Sequence, residues 1–561
     1  MRFLKIVLSF VCCIGSTSFS YPAIRACADE PLRLAHRWEV EPDLGIEWLA
    51  PRTPLPLTLH PERFASSQLQ VVLDESRHAL QYADQEDLAG RELALEAILE
   101  RLKNPPENRQ LVLALAGAAI ALADGSHAQV LWERLRDAPA TRPLIDRALV
   151  DWMSPVALDS WRTRLLDPSS SQSDLLLAIE GVGATGSAQD RPALEALLRS
   201  DRHQTPLKIS IARALGSVAT ADLESLANDI LAAEMEHREL LVAELLSRHT
   251  SPAARGHLRS IVDSSHQPAR TVAYTAISRN YAELARELAP QMLEQNDNNL
   301  RAQAVAVLDQ YDDAVSLRYQ AARIADRNYE LRVSVRENLL RKTRIPELRI
   351  VVDEVIDEQL DSDVYQGIEQ AILLSVALRE AERCPTYLKL LEFPRPETSL
   401  IAAWALQELA QTPELMEGIL THTRFLTDRL IKKEPTYRPE HLRQAFLFEA
   451  MGRNRYQPAV EMLKLYIDKH HWMGDFCRAS AIWALGKILE DSQDADVAQA
   501  LAERMLDMDP ENPEDPLVQF NSTVALGWIK APQSLEKLRA VPAVLGAHGQ
   551  AAQWAQQQFA K

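Results

Sequence analysis

At 561 residues the chain is longer than one globular core ordinarily fills, so it holds either several domains or a repeat array. Apolar residues make up 47% of it but aromatics only 6%, with 18 glycines, a balance that suits Ala/Leu-rich helices and speaks against a sheet protein. The formal net charge of -18 sets the chain against general binding to nucleic acid or to an anionic membrane.

The first residues read as an export leader. Arg2 and Lys5 supply positive charge, Ile6 to Ile14 form a short apolar run, and Ala26-Cys27-Ala28 places small residues where a signal peptidase cuts. Residues 1–28 are therefore expected to be a signal peptide, with the mature protein periplasmic or extracellular. The run is too short for an ordinary transmembrane helix, and no span is expected after the leader is removed. Loss of the leader's three bases leaves 58 basic against 79 acidic side chains, a net of -21. It also leaves only Cys384 and Cys477, too few for a disulfide framework, and each is expected to serve as a small apolar residue in a helix interface.

Residues 29–67 carry six prolines, Trp38, Trp48 and charges in no helical rhythm, and are expected to form an extended arm. From residue 68 to 561 a helical period takes over, broken every 12 to 18 residues by Pro, Asp, Asn, Ser or Gly. Within it an Ala-rich helix closing on a large aliphatic residue recurs, most clearly at residues 208–216, 478–486 and 522–527. The aliphatic anchors are Leu115, Leu149, Ile179, Leu215, Leu245, Ile277, Leu308, Leu339, Leu374, Leu406, Leu447, Leu485 and Leu526. Their mean step is about 34 residues, which fits two short helices and two turns, and predicts an all-α superhelix of about 12–14 helix pairs. Such pairs are too small to bury their own apolar faces and must shelter one another.

At this point the chain resembles the HEAT-repeat family, and more particularly the short HEAT repeats of phycobilin-lyase-type proteins. A second pattern supports the resemblance. Seven residues before the anchor stand Arg142, Lys208, Arg238, Arg270, Arg301, Arg332 and Arg478, on the anchor's own face, since seven residues turn a helix by about 700°. A cation at a helix N-terminus opposes the helix dipole unless a carboxylate accompanies it. Asp201, Asp263, Asp297, Asp326 and Asp475 stand upstream, and in HEAT proteins such residues resemble an Asp/Arg ladder between repeats. The resemblance spans about residues 90 to 559.

Catalytic chemistry finds no constellation to carry it. None of the fourteen histidines is followed by glutamate, which removes the His-Glu pairs of a helical di-iron hydroxylase. Asp468, His470, His471, Asp475 and Cys477 crowd into ten residues but match no metal-ligand spacing, and read as a solvated turn beside a buried thiol. The acidic run Asp507, Asp509, Glu511, Glu514, Asp515 lacks the glycine of a calcium loop and is stiffened by Pro510, Pro513 and Pro516. Residues 181–186 have the Gly-x-Gly-x-x-Gly spacing, but they end a helix and do not follow a strand. No catalytic residue, cofactor or metal is expected.

One stretch runs against the overall charge. Residues 318–349 hold nine bases and four acids, and Arg318, Arg323, Arg336 and Arg341 are its candidate partner-binding residues, suited to an acidic peptide or another anionic group. The expectation from sequence is thus an exported, non-catalytic scaffold for a protein or peptide partner. Two alternatives stay open: an enzyme or cofactor-handling protein resembling bilin lyases, and a structural component of the cell envelope.

Overall fold

The computed structural model describes residues 59–82, 88–200, 202–233, 236–541 and 547–560; the expected leader and most of the expected arm lie outside these. All regular elements among the described residues are helical, and they succeed one another as fifteen helix–turn–helix pairs, from Pro61–Phe64 with Leu69–Tyr82 to Ser534–Arg539 with Ala547–Gln558. The chain divides between Gln310 and Tyr311 into two compact units. The first contains eight of the pairs and the second seven.

Helix starts follow the punctuation of the sequence. Pro206, Pro252, Pro396, Pro413 and Pro516 occupy the first turn, where a missing N–H costs nothing. Asn108, Ser171, Asp494 and Asp515 cap their helices by accepting from free backbone N–H groups. The array begins earlier than its composition implies: Pro61–Phe64 is helical, Phe64 is fully buried, and the buried Glu75 accepts from the His60 amide at 2.7 Å and from Arg63 at 3.0 Å. The last residues of the expected arm thus belong to the first pair.

Within each unit the helices form two layers, first helices packing on first helices and second on second. All thirteen anchors lie on second helices with at most 2% of their surface exposed. Each points into the seam between the layers, so the even sequence step is the step of one continuous core: a HEAT-like α-solenoid.

Second helices approach one another closely because small residues meet there. A Cβ placed on Gly452 would stand 2.7 Å from Ala484 Cα, on Gly486 2.7 Å from Ala525 Cα, and on Gly527 2.9 Å from Ala555 Cα. Gly183 stands in the same relation to Ala214 in the first unit, at 3.0 Å. Backbone meets methyl at these junctions, leaving no room for another carbon.

The bases before the anchors resolve their own paradox. Arg238, Arg270, Arg301, Arg332 and Arg478 each donate to a backbone carbonyl at or just beyond the end of the preceding first helix: those of Leu231, Ser264, Gln295, Asp326 and Ile467, at 2.5 to 3.3 Å. The short turn sets the N-terminus of one helix beside the C-terminus of another, where a cation is welcome and free carbonyls need donors. The expected acid-to-base ladder appears in another form at the two ends of the series: Arg142 reaches Asp174 of the next pair at 2.7 Å, and Arg478 grips Glu514 with two bonds of 2.6 and 2.7 Å.

Arg478 and Glu514 are both fully buried side chains. Burial opposes ionisation of Glu514, yet the bonds from Arg478 hold its carboxyl below the ordinary range. A depressed carboxyl adds stability that is complete above the unfolded pKa near 4.5 and is lost as the pH falls through the lowered folded value. Arg478→Ala, which strands the carboxylate, is expected to cost about 3–5 kcal/mol in urea unfolding at neutral pH, and Arg478→Met with Glu514→Leu clearly less. The double variant should also lose less stability than the wild-type chain on acidification below about pH 4.

The close approach of second helices gives a second prediction. Gly486→Ala should lower stability by about 1–3 kcal/mol through overpacking. Gly256→Ala, on an exposed helix position with nothing within 4 Å of the added carbon, should raise it by about 0.5–1 kcal/mol. Thermal unfolding of both variants checks the pair.

Candidate partner-binding surfaces

The four bases singled out by charge do not form one patch. Arg318 lies on Ala314–Ala321 in the first layer, exposed, and is paired with Glu354 of Pro346–Leu360. Arg323 follows that helix and is half-buried. Arg336 and Arg341 lie on Tyr329–Lys342 in the second layer: Arg336 donates to Gln370 at 3.3 Å, and Arg341 to Asn338 at 2.7 Å. Other bases of the stretch are engaged inside the array. Arg332 holds the Asp326 carbonyl, the buried Lys342 is paired with Asp312, and Arg349 binds Asp353 at 2.8 Å and also Glu380.

The side chains of the Asp468–Cys477 turn are dispersed by the fold. Cys477 is fully buried and donates its S–H to the His441 carbonyl, and burial pushes its thiol well above the usual range. His470 instead stacks on Trp472 at 4.4 Å, with the Lys433 ammonium 4.3 Å from the same indole ring, while His471 Nε2 meets Asn512 at 3.1 Å. Among the described residues no three His, Cys, Asp or Glu side chains are placed to hold a metal ion. In the acidic run Asp507 is taken by Lys469 at 2.8 Å, Glu514 by Arg478, and Asp515 caps a helix. Gly181 and Gly183 lie within Gln172–Thr185 and Gly186 ends it; Gly181 is there because Trp161 fills the space where a Cβ would sit.

A different surface emerges from the second layer. Two and five residues before the anchor lie about 200° and 500° back around the helix, both nearly opposite the core. In the first unit these positions hold Gln110, Leu113, Leu144, Arg147, Asp174, Ser210, Arg213, Val272, Thr275, Gln303 and Ala306, exposed or half-buried, with Leu177, Leu240 and Ala243 buried. Polar links cross from pair to pair: Arg147 to Glu180 at 2.8 Å, Arg213 to Glu244 at 2.9 Å, Thr275 to Gln303 at 3.1 Å. That face satisfies itself in water.

In the second unit the same positions change character. Ser334 and Glu337 are still exposed, but from Tyr365–Ala377 onward come Glu369, Ile372, Ile401, Trp404, Leu442, Ala445, Ser480, Trp483, Asn521 and Val524, all less than 9% exposed. Trp528 joins them two residues after its anchor, packed edge-to-face between Trp483 and Trp554 with ring centroids 5.9 Å apart on both sides. Lys487 sets its ammonium 4.0 Å from the Trp528 ring, and the Arg438 guanidinium lies 5.8 Å from the Phe476 ring. Of the four bases expected from sequence, Arg341 alone stands in line with this surface, two residues after the anchor Leu339.

No protein-family model matches the chain, and no curated protein matches it. Solved structures of similar backbone trace include Kap95p with RanGDP (12% identity, TM-score 0.45, covering 95% of this chain and 72% of that one). Importin beta crystallised in ammonium sulfate is similar at 11% identity and TM-score 0.42, covering 89% and 72%. Kap121p bound to Pho4p is similar at 11% and 0.40, covering 99% of this chain and 56% of that one. These scores are low, and the assignment to a HEAT-like solenoid rests on the helix pairs themselves. No described helix is long and apolar enough to cross a membrane.

Among the described residues the two thiols, Cys384 and Cys477, are both buried and unpaired with each other, and burial raises Cys384 to about 11. Iodoacetamide should therefore leave both unmodified in the folded chain and alkylate both after unfolding, as read by intact mass. Alkylation of either one in the folded chain would show that its helix interface opens.

Proposed function

We propose that the protein is an exported, non-catalytic scaffold that binds an extended protein or peptide partner along the second-layer face of its C-terminal unit. One observation carries this reading: five successive second helices are buried, and for the most part apolar or aromatic, on the side opposite their own core. A helix in water keeps that side polar, and a helix apolar all round is one buried all round. Trp404, Trp483 and Trp528 supply the rigid aromatic area typical of binding hot spots, while Lys487 and Arg438 supply positive charge along the same stripe. Arg341 extends that stripe toward the earlier pairs, Arg323 and Arg336 are proposed to contribute charge near it, and Arg318, in the first layer, stands apart from it.

The absence of a catalytic motif in the sequence and the leader-like residues 1–28 support the remainder of the reading, a periplasmic or extracellular binding protein without cofactor. Kinship with the short phycobilin-lyase-type HEAT repeats belongs to the same proposal, supported by steps of 30, 32, 31 and 31 residues between anchors 215 and 339.

The test is affinity capture from the native envelope fraction with the wild-type chain, Trp404→Ala and Arg318→Ala, folding being confirmed by thermal melts. A partner recovered in stoichiometric amount with wild type and Arg318→Ala but reduced at least tenfold with Trp404→Ala is the expected result. Equal recovery with Trp404→Ala, or substrate turnover by the purified chain, would overturn it.

A further inference from the structure

We propose that two copies of this chain pair through one edge of the C-terminal unit, the edge formed where first helices turn into second helices in three successive pairs. The turns are residues 432–437, 465–474 and 506–515. The last two, at ten residues each, are the longest turns of this kind among the described residues, the others taking four to seven. Insertions on one side of a repeat array commonly mark a side that binds. The three turns touch and so make one surface. The Lys433 ammonium lies 4.3 Å from the Trp472 ring, Lys469 reaches Asp507 at 2.8 Å and also the Asn512 carbonyl, and His471 Nε2 meets Asn512 Oδ1 at 3.1 Å.

Water-exposed apolar side chains concentrate on this edge. Of eighteen large apolar side chains exposed among the described residues, six lie in these turns or at the helix end beside them: Ile431, Tyr437, Leu465, Trp472, Leu506 and Met508. Exposed apolar residues scattered singly need no explanation, but a third of them gathered on three adjoining turns mark a surface that another molecule covers. Trp472 is already held, with His470 stacked on it at 4.4 Å and Lys433 against its ring, so covering it surrenders little side-chain freedom.

Charge identifies the occupant. The first turn carries Lys432 and Lys433, both exposed, while its acid, Glu434, is taken by Arg429 at 3.4 Å. The third turn is acidic: Asp507 is spent on Lys469, but Asp509 and Glu511 are exposed and form no ion pair with a described residue. Between them the middle turn offers Leu465 and Trp472 beside a single exposed carboxylate, Asp468. An edge that is basic at one end, apolar in the middle and acidic at the other is complementary to itself after a half-turn. A two-fold axis through the middle turn lays Lys432 and Lys433 of each copy on Asp509 and Glu511 of the other, with Trp472 near the axis. The three turns hold 26 residues, against the about 20–30 a side of a stable interface. At a net charge of -18 two copies repel each other at a distance, so their pairing has to be carried by a local pattern of this kind.

Sedimentation equilibrium of the purified chain over a concentration series tests this, with thermal melts confirming the fold of each variant. The variants are Lys432→Glu with Lys433→Glu, Asp509→Lys with Glu511→Lys, all four changes together, and Trp472→Ala. Expected are a wild-type dimer and a dissociation constant raised at least tenfold by either charge reversal and by Trp472→Ala. Exchange of all four charges should recover the dimer, because the two-fold pairing is then rebuilt with its signs swapped. Trp404→Ala, on the second-layer face, should dimerise as the wild type does, which separates this pairing from the binding role proposed above. If Trp472→Ala melts early, the charge exchanges decide alone. A wild-type chain that stays monomeric would hand the edge to a different protein and overturn the proposal. So would a dimer indifferent to both charge reversals, a fourfold exchange that fails to restore pairing, or loss of the dimer in Trp404→Ala.

Discussion

The structure depends on how closely successive second helices approach. A pair of short helices holds too little apolar area to exclude water by itself, so its stability is borrowed from the pairs before and after. Glycine against alanine lets the helix backbones come within contact distance, and that spacing brings Leu485 or Leu526 fully into the seam. Wider spacing would open a gap beside every anchor. Dispersion energy falls steeply with such gaps, which is why one methyl group matters at these positions.

Turns between the helices are secured by a different means. Arginines at the start of second helices hold the last carbonyls of first helices, so one side chain stitches two elements while meeting acceptors the helix leaves bare. The periodic bases were visible in the sequence because they keep their distance from the anchor. Their acceptors were not, since every residue carries the same carbonyl and nothing in a sequence marks which one a guanidinium will reach. Nearby aspartates drew attention because they are charged, whereas the polarity that mattered was that of the backbone.

The anchors were legible for a plain reason: a large aliphatic residue closing an alanine-rich helix at steps of 30 to 41 residues survives noise at any single copy. The proposed binding face was not. Its residues at two and five before the anchor are mostly apolar in helices that are themselves largely apolar, so their period merges with that of the core. A signal existed in the departure from pattern. Arg213 and Arg147 in early copies give way to Trp404 and Trp483 at the same place in later ones, a change no core requirement explains. The basic stretch misled because net charge along a sequence counts Arg332 and Lys342 equally with Arg318, although the fold buries the first two and places the third on another layer. Likewise a proline-rich segment concealed the four-residue helix that begins the array.

Junctions made of glycine backbone against an alanine methyl and one tryptophan ring have one more property. Closing each orders a single side chain with only two rotatable bonds, Trp483, Trp528 or Trp554, so little conformational freedom is surrendered when a new neighbour docks. Three such junctions follow in succession, Gly452 on Ala484, Gly486 on Ala525 and Gly527 on Ala555. A stack assembled from this contact can be lengthened by duplication of one pair at nearly constant gain per addition, which makes the C-terminal unit the part of the chain best suited to growth.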